Sequence, residues 1–294
     1  MKLSPGCRAG RHHVLVRPIG RGGMATVWAA EDRAHGRRVA VKILDAEVAE
    51  SPQTVERFIA EASAMGHIRS PFVPEIYESG RLSDGTPYTV MELLEGLDLD
   101  VYLRNYGRLS LRATARLVSQ IAAALTEAHR VGIVHRDVKA ENILVTGGGE
   151  HLRAKLIDFG IAKIPSEHGR LGTQMATMGT PAYMSPEQLA STKDVDARAD
   201  LWSLAVAAYI ALTGKMPFDG ETFLAVCLSI HEGIFDLPSH LRVDVPVEVD
   251  AWLTKALHRD PAKRFQTAAE LSEALSDIVR RVCPAPVLEL PMDE

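Results

Sequence analysis

The stretch LWSLAVAAYIAL, Leu201–Leu212, is the longest nearly unbroken apolar run in this chain. A helix that meets water on one side carries polar residues at a 3.6-residue period, and this run has no such side to offer. It can sit only where other elements enclose it. Spanning a bilayer takes about 20 apolar residues, so the run is too short for that. It therefore predicts a buried helix inside a helical body. With 46% apolar residues among 294, the chain can build such a body and still form a second subdomain.

The rest of the composition narrows the function classes. The net charge of −5 is mild and no run of like charges stands out, so nucleic-acid or membrane-surface roles gain no support. Cys7, Cys227 and Cys283 lie far apart and form no C-x-x-C, which argues against a disulfide framework or a zinc site. The start MKLSPGCRAGRHH has charges but no apolar stretch, unlike a secretory signal. A cytoplasmic location is the expectation, and a membrane anchor would require a longer chain.

Along the chain the character changes once. HHVLVRPIG, MATVWAAED and RRVAVKIL are short, valine-rich and bounded by turns, which predicts consecutive antiparallel strands. Ser51-Pro52 supplies a cap and a first-turn proline for a helix, with Val55, Phe58, Ile59, Ala62 and Met65 as its apolar face. PEIYESGRL and PYTVMELL predict two more strands. After EGLDLD helices take over, beginning with LRATARLVSQIAAALTEAHRVG, closed by Gly132. A small β-rich half thus precedes a larger helical half, joined near Glu92 to Gly96. The last residues, CPAPVLELPMDE, are proline-rich and acidic and predict an unpacked tail.

Four segments concentrate polar chemistry. IGRGGMATVW is a glycine-rich turn between strands, where backbone N–H groups can approach phosphate oxygens. Because a strand follows the glycines, it is not a dinucleotide fingerprint, which needs a helix there. Lys42 in VAVKIL alternates with apolar residues, and the pattern leaves open whether it points inward to an anion or outward to water. Glu61 lies on the flank of the predicted helix face, where it can reach inward or simply border the stripe. LIDFGIAK places Asp158 at a strand end, a position equally suited to a turn cap. HRDVKAEN, His135–Asn142, packs carboxylates, an ammonium and an amide between the apolar runs GIV and ILV. Buried polar groups without partners cost several kcal/mol, roughly, so these are paired, solvated or in use.

Taken together, the glycine loop, VAVK, HRDVKAEN, DFG, GTPAYMSPE, DLWSL and DPAKRF stand in one order over nearly the whole chain. In this the sequence resembles the protein kinase family, specifically the bacterial type of Ser/Thr kinase. The resemblance implies an α+β, two-lobed fold. Residues 13–281 form the catalytic domain, with a small lobe 13–91, a hinge 92–97 and a large lobe 98–281. Residues 1–12 form an N-terminal segment and 282–294 a tail.

The resemblance also implies ATP as phosphate donor with Mg2+, or Mn2+ in its place. Asp137 would accept the substrate hydroxyl proton, Lys139 would offset developing charge, and Asn142 and Asp158 would hold metal. Lys42, clamped by Glu61, would grip the α and β phosphates. The nucleotide would lie against Ile19, Gly20, Arg21, Gly22, Gly23, Met24, Ala25, Thr26 and Val27, with Ala40 above and Leu144 below the adenine. Glu92 and Leu94 backbone groups would meet its edge, Met91 would be the gatekeeper, and Asp98 would contact ribose or begin a helix. His135 is expected to be a scaffold and Glu141 a surface residue.

Four departures from the family pattern stand out: Ala25 for the third loop glycine, Ala140 for proline, Ala205 for glycine, and SPE for APE. Glu187 is expected to pair with Arg264, and Asp200 to brace the catalytic loop. In the segment between Asp158 and Glu187, Thr173 and Thr177 are expected sites of autophosphorylation, read by Arg57, Arg136 and Lys163. Expected partners are proteins with Ser/Thr acceptors and a second copy for phosphorylation in trans, but no nucleic acid. A pseudokinase scaffold is the alternative, opposed by the presence of Lys42, Asp137 and Asp158.

Overall fold

The computed structural model describes residues 3–159, 181–190 and 195–283. Six antiparallel strands make the small lobe: β1 (Arg8–Ala9), β2 (His13–Arg21), β3 (Ala25–Asp32), β4 (Arg37–Leu44), β5 (Ile76–Arg81) and β6 (Pro87–Glu92). Their order in the sheet is β1-β2-β3-β4-β6-β5. Helix α1 (Pro52–His67) packs on one face, capped by the Ser51 hydroxyl, which accepts from the Thr54 N–H.

Period-two alternation sorts this sheet. Val39, Val41 and Ile43 point to one side, where they join Leu15, Trp28, Tyr88 and Val90 in a closed apolar layer. The intervening Ala40 and Lys42 face the other side. Two register shifts in β2, at Leu15/Arg17 and Pro18/Gly20, bend that strand near the glycine turn. The described residues before His13 pack on the sheet. Ala9 is fully buried, and Leu3 and Cys7 lie against the apolar layer. On the opposite face of β3 and β4, Ala25 and Leu44 pack with Phe58 of α1.

The large lobe starts with β7 (Leu97–Asp98), so residues 93–96 alone make the crossing between the lobes' strands. It continues with α2 (Leu99–Tyr106), α3 (Leu111–Arg130), β8 (Ile143–Thr146) and β9 (Arg153–Leu156). Beyond these come α4 (Pro186–Ala190), α5 (Arg198–Thr213), α6 (Phe223–Glu232), α7 (Pro238–Leu241), α8 (Val247–Ala256) and α9 (Ala268–Val282). Strands β7, β8 and β9 form a small second sheet under the crossing. The apolar run Leu201–Leu212 lies within α5. It touches α3, α7, α8 and the turn at Pro181–Tyr183, and is buried from Ala199 to Tyr209 without a break. Gly214, at φ +71°, ends it in a left-handed cap. Of the expected tail, Val282 and Cys283 still pack against the core, and the rest lies outside the described residues.

Candidate active site

The direction of Lys42, open in the sequence, follows from its strand. With its neighbours Val41 and Ile43 committed to the apolar layer, Lys42 must face the cleft between the lobes. Its ammonium donates to Glu61 Oε1 at 2.7 Å and to Asp158 Oδ1 at 2.9 Å. Burial alone would push the Lys42 ammonium down, but Asp158 and Glu61 outweigh it and hold it well above its ordinary range. Burial pushes the Glu61 carboxyl up, against the pull of Lys42. At Asp158 desolvation acts upward too, yet Lys42 more than offsets it, and the carboxyl stays below its ordinary value.

Glu61 is 4% exposed and shares the inward face of α1 with Phe58, Ala62 and Met65. Ile59, expected on that face, is 44% exposed instead. The buried stripe runs through positions 58, 61, 62 and 65, and residue 59 lies about 100° round the helix from Phe58.

The catalytic-type loop is held from below. Asp200, at the first turn of α5 and fully buried, accepts three hydrogen bonds. They come from the His135 N–H (2.8 Å), the Arg136 N–H (2.8 Å) and His129 Nε2 (2.7 Å). These bonds hold Arg136 at φ +62°, a conformation that costs a non-glycine residue about 1–3 kcal/mol. The other described non-glycine residue with positive φ is Asp158, at +53°. Among the described residues, both such strained positions belong to this site. His135 Nδ1 accepts from the Asp137 N–H (3.2 Å), so its ring proton sits on Nε2 and is donated to the Ile157 carbonyl (3.2 Å). Burial pushes the imidazole down, which keeps it neutral, as a scaffold requires.

Val138 and Ala140 are buried, so the loop alternates; Asp137 and Lys139 are half-buried, and of these two Lys139 lines the cleft. Lys139 Nζ is 3.5 Å from Asp137 Oδ2. The Asn142 amide donates to the Asp137 carbonyl (2.8 Å) and to Asp137 Oδ2 (3.0 Å). With its nitrogen so engaged, Asn142 has its amide oxygen to present elsewhere. That oxygen and the half-exposed Asp158 carboxylate are hard oxygen donors, the set a small divalent cation prefers.

A cleft of about 840 Å³ gathers most of the expected nucleotide contacts. Ile19, Gly20, Arg21, Gly22, Val27, Ala40, Lys42, Glu61, Met91, Glu92, Leu94, Asp98, Lys139, Asn142, Leu144 and Asp158 all line it. Gly23, Met24, Ala25 and Thr26 do not. Ala25 and Met24 turn to the α1 side, against Leu44 and Phe58, and the Thr26 hydroxyl donates to Asp45 Oδ1 (2.7 Å). Neither Gly20 nor Gly23 has a positive φ, and a Cβ at either would meet nothing within 4 Å. Neither backbone conformation nor packing explains these glycines. Close approach of a ligand does, so the residues present fit a phosphate chain.

Asp98 lines the cleft and also caps α2, accepting from the Val101 N–H at 2.8 Å. The Glu92 side chain turns to β9, where Lys155 Nζ donates to both carboxylate oxygens at 2.7 and 2.6 Å. This bridge between the end of β6 and the large lobe was not anticipated, since Lys155 carries no signal beyond an alternating strand. Arg57 is half-buried. Arg136 Nε is buried and has no hydrogen-bond partner among the described residues. Thr173, Thr177 and Lys163 lie outside the described residues.

Comparison with known proteins decides what this arrangement belongs to. A family model described as the protein kinase domain matches residues 13–275. The chain belongs to the protein kinase family. It is 38% identical over 274 residues to the serine/threonine-protein kinase PknA of Mycobacterium tuberculosis, covering 92% of this chain and 62% of that protein. It thus spans less than two thirds of that relative's length. The crystal structure of the Mycobacterium tuberculosis PknI kinase domain superposes with a TM-score of 0.71 at 26% identity, over 94% of this chain and 99% of that one. A Rad53 structure in complex with AMP-PNP gives 0.73 at 26% identity, over 90% and 64%. The two-lobed α+β fold and the bacterial Ser/Thr kinase type expected from the motifs are therefore both found.

Within this kinase domain the departures are accommodated. Ala140 is 1% exposed and opens a 3-10 turn from Ala140 to Asn142, which forms without proline. Ala205 is fully buried inside α5. Glu187 meets Arg264 in a two-pronged pair, 2.7 Å at each oxygen, with the guanidinium also donating to the His258 carbonyl and stacked over Trp202.

Proposed function

We propose that this chain transfers the γ-phosphate of ATP to serine and threonine hydroxyls of proteins, including threonines of its own segment at Thr173, Thr177 or both. The observation that carries the reading is the simultaneous assembly of Lys42, Glu61 and Asp158 with Lys139 and Asn142 in the cleft, and of Asp137 held beside them by the Asn142 amide. Phosphoryl transfer needs positioning and charge stabilisation more than covalent chemistry, and this arrangement supplies both.

Lys42 would hold the α and β phosphates, its charge secured by two carboxylates. Asp137 would orient the acceptor hydroxyl and take its proton, kept in place by the Asn142 amide and the His135 ring. Lys139 would stabilise charge on the transferring group. Asn142 and Asp158 would hold magnesium, or manganese, whose charge neutralises the phosphates when bound. Glu92 and Leu94 at the crossing would meet the adenine edge.

Arg136 Nε, buried and without a partner among the described residues, supports control by a phosphothreonine beside Asp137, since a nearly dianionic phosphate would complete that guanidinium's bonds. Arg57, one turn before Glu61 on α1, would pass the ordered state to the Lys42–Glu61 pair. Phosphorylation in trans would involve a second copy. No described helix is long and apolar enough to cross a membrane. A cytoplasmic location is part of the proposal.

The test is phosphosite mapping after incubation with labelled ATP and test proteins. Phosphate is expected on Ser and Thr only, and on Thr173 or Thr177 in active protein but not in Asp137→Asn. Replacing both threonines by alanine should lower the rate, and Arg136→Ala should make activity indifferent to phosphatase. Label appearing on small molecules and never on protein would overturn the proposal.

A further inference from the structure

The mild net charge of the chain hides a strong segregation. Nine of the 33 Lys and Arg residues, but only two of the 38 Asp and Glu, precede Asp45, a formal +7 against −12 for the remainder. The fold gathers six of these nine cations, Arg8, Arg11, Arg17, Arg33, Arg37 and Arg38, at one end of the small lobe. The turn after β1 and the β3–β4 hairpin touch directly, with the Arg33 N–H donating to the His12 carbonyl at 2.9 Å. This brings Arg11, His12, Arg33, His35 and Arg37 together, all exposed. Arg8, Val14, Glu31 and Arg38 then stand in one cross-strand row.

The acids present do not neutralise this surface. Asp32 is buried and already engaged by His35 and Arg37, and Glu31 forms no ion pair among the described residues. Arg8, Arg11, Arg17, Arg33 and Arg38 likewise have no carboxylate partner among the described residues.

Two of these cations enter the nucleotide cleft at its outer end. Arg17 and Arg38 both line it. Arg38 lies four residues along β4 from Lys42, about 14 Å at 3.4 Å per residue. The phosphates of a nucleotide belong at the Lys42 end, so Arg17 and Arg38 are not required by them. They call for a second anion at the mouth.

We propose that this basic face is the docking surface for an acidic segment of a partner protein, which runs from the turns at 8–12 and 33–38 to the cleft mouth at Arg17 and Arg38. The surface itself argues against other polyanions. The two turns expose no large apolar residue to insert into a lipid surface and no Phe, Tyr or Trp on which bases could stack. Tyr77, beside them, is covered by the Arg37 guanidinium at 3.7 Å. Two copies of the face would repel each other, which excludes symmetric self-pairing through it.

This proposal goes beyond the transfer reaction, and its main test needs no ATP. The probe is a fluorescein-labelled 16-residue polyglutamate peptide, which has no hydroxyl to phosphorylate, titrated by anisotropy. Saturable binding is expected, weakening about tenfold or more between low and 0.3 M salt. The triple variant Arg8→Ser/Arg11→Ser/Arg33→Ser should weaken peptide binding about tenfold while its melting temperature and ATP affinity stay unchanged. Saturating peptide should weaken ATP binding about threefold in the parent but not in Arg17→Ser/Arg38→Ser, and ATP should weaken the peptide equally. Equal peptide affinity in the triple variant would overturn the proposal. So would tighter binding of phosphatidylserine vesicles or duplex DNA than of the peptide at equal charge, or no coupling to ATP.

Discussion

Asp200→Asn isolates the support under the catalytic loop from the loop itself. The substitution keeps shape and size but leaves one acceptor oxygen where three donors converge, from His135, Arg136 and His129. Whichever way the amide turns, its NH2 group faces a buried donor. An unsatisfied buried group costs about 1–3 kcal/mol, and losing charge-assisted bonds adds to this, for about 2–3 kcal/mol in all. At roughly 2–4 °C per kcal/mol for a domain of this size, the melting temperature should fall by about 5–10 °C.

The catalytic effect should be larger. Arg136 holds φ +62° against a strain of about 1–3 kcal/mol, and its N–H bond to Asp200 is one of the restraints. Released, the backbone moves Asp137, and a displacement near 1 Å can cost about 100-fold in rate. None of the three bonds touches the nucleotide cleft, so ATP affinity should stay within about twofold. Steady-state transfer to a threonine-containing test peptide, ATP titration and thermal melting measure the three quantities separately. A kcat within twofold of the parent alongside the expected melting shift would refute the positioning argument, leaving Asp200 as a stability residue only.

Glu61→Gln should lower kcat/KM about 10–100-fold without unfolding, because Lys42 keeps Asp158 but loses a charged bond worth about 1.5–3 kcal/mol. Circular dichroism beside the kinetics checks both parts. Gly96→Ala should destabilise the chain, since φ is +127° and the new methyl would lie 2.4 Å from the Val145 carbonyl oxygen, whereas Gly20→Ala should leave the melting temperature unchanged and weaken ATP binding. Burial pushes the Asp32 carboxyl up, but His35 and Arg37 outweigh it and bring it to about 2. A folded pKa below the ordinary 3.8 means that its contribution is full above pH 3.8 and is lost as pH falls toward 2. The melting-temperature gap between the parent and Asp32→Asn should therefore close between pH 4 and 2.

Much of this site was legible because kinase chemistry is carried by short local patterns. Asp137, Lys139 and Asn142 sit within six residues, and Asp158 immediately precedes Phe-Gly, so their order alone carried the resemblance. The enclosed helix α5 was equally readable, since its apolar run admits no other setting. What periodicity could not provide was direction and distance. Lys42 could have faced either side of β4 until Val39, Val41 and Ile43 were seen packed on the other. Ile59 was misplaced because an apolar residue at a helix flank looks the same in sequence whether it is covered or exposed. The Glu92–Lys155 bridge spans 63 residues between elements that look ordinary, so no local pattern announces it. The basic face was hidden for the opposite reason. Its arginines are scattered over three strands and two turns, and only the sheet register brings them together.

The most direct test of the central claim is single-turnover phosphoryl transfer by Asp137→Asn and Asp158→Asn, with nucleotide titrations on both proteins. Asp137 would orient and deprotonate the acceptor but holds no phosphate, so Asp137→Asn should abolish transfer and bind ATP nearly as the parent does. Asp158 is bonded to Lys42 and would hold the metal, so Asp158→Asn should lose transfer and also bind metal–ATP more weakly. Robust transfer by Asp137→Asn would contradict the assignment of the catalytic base and, with it, the proposed reaction.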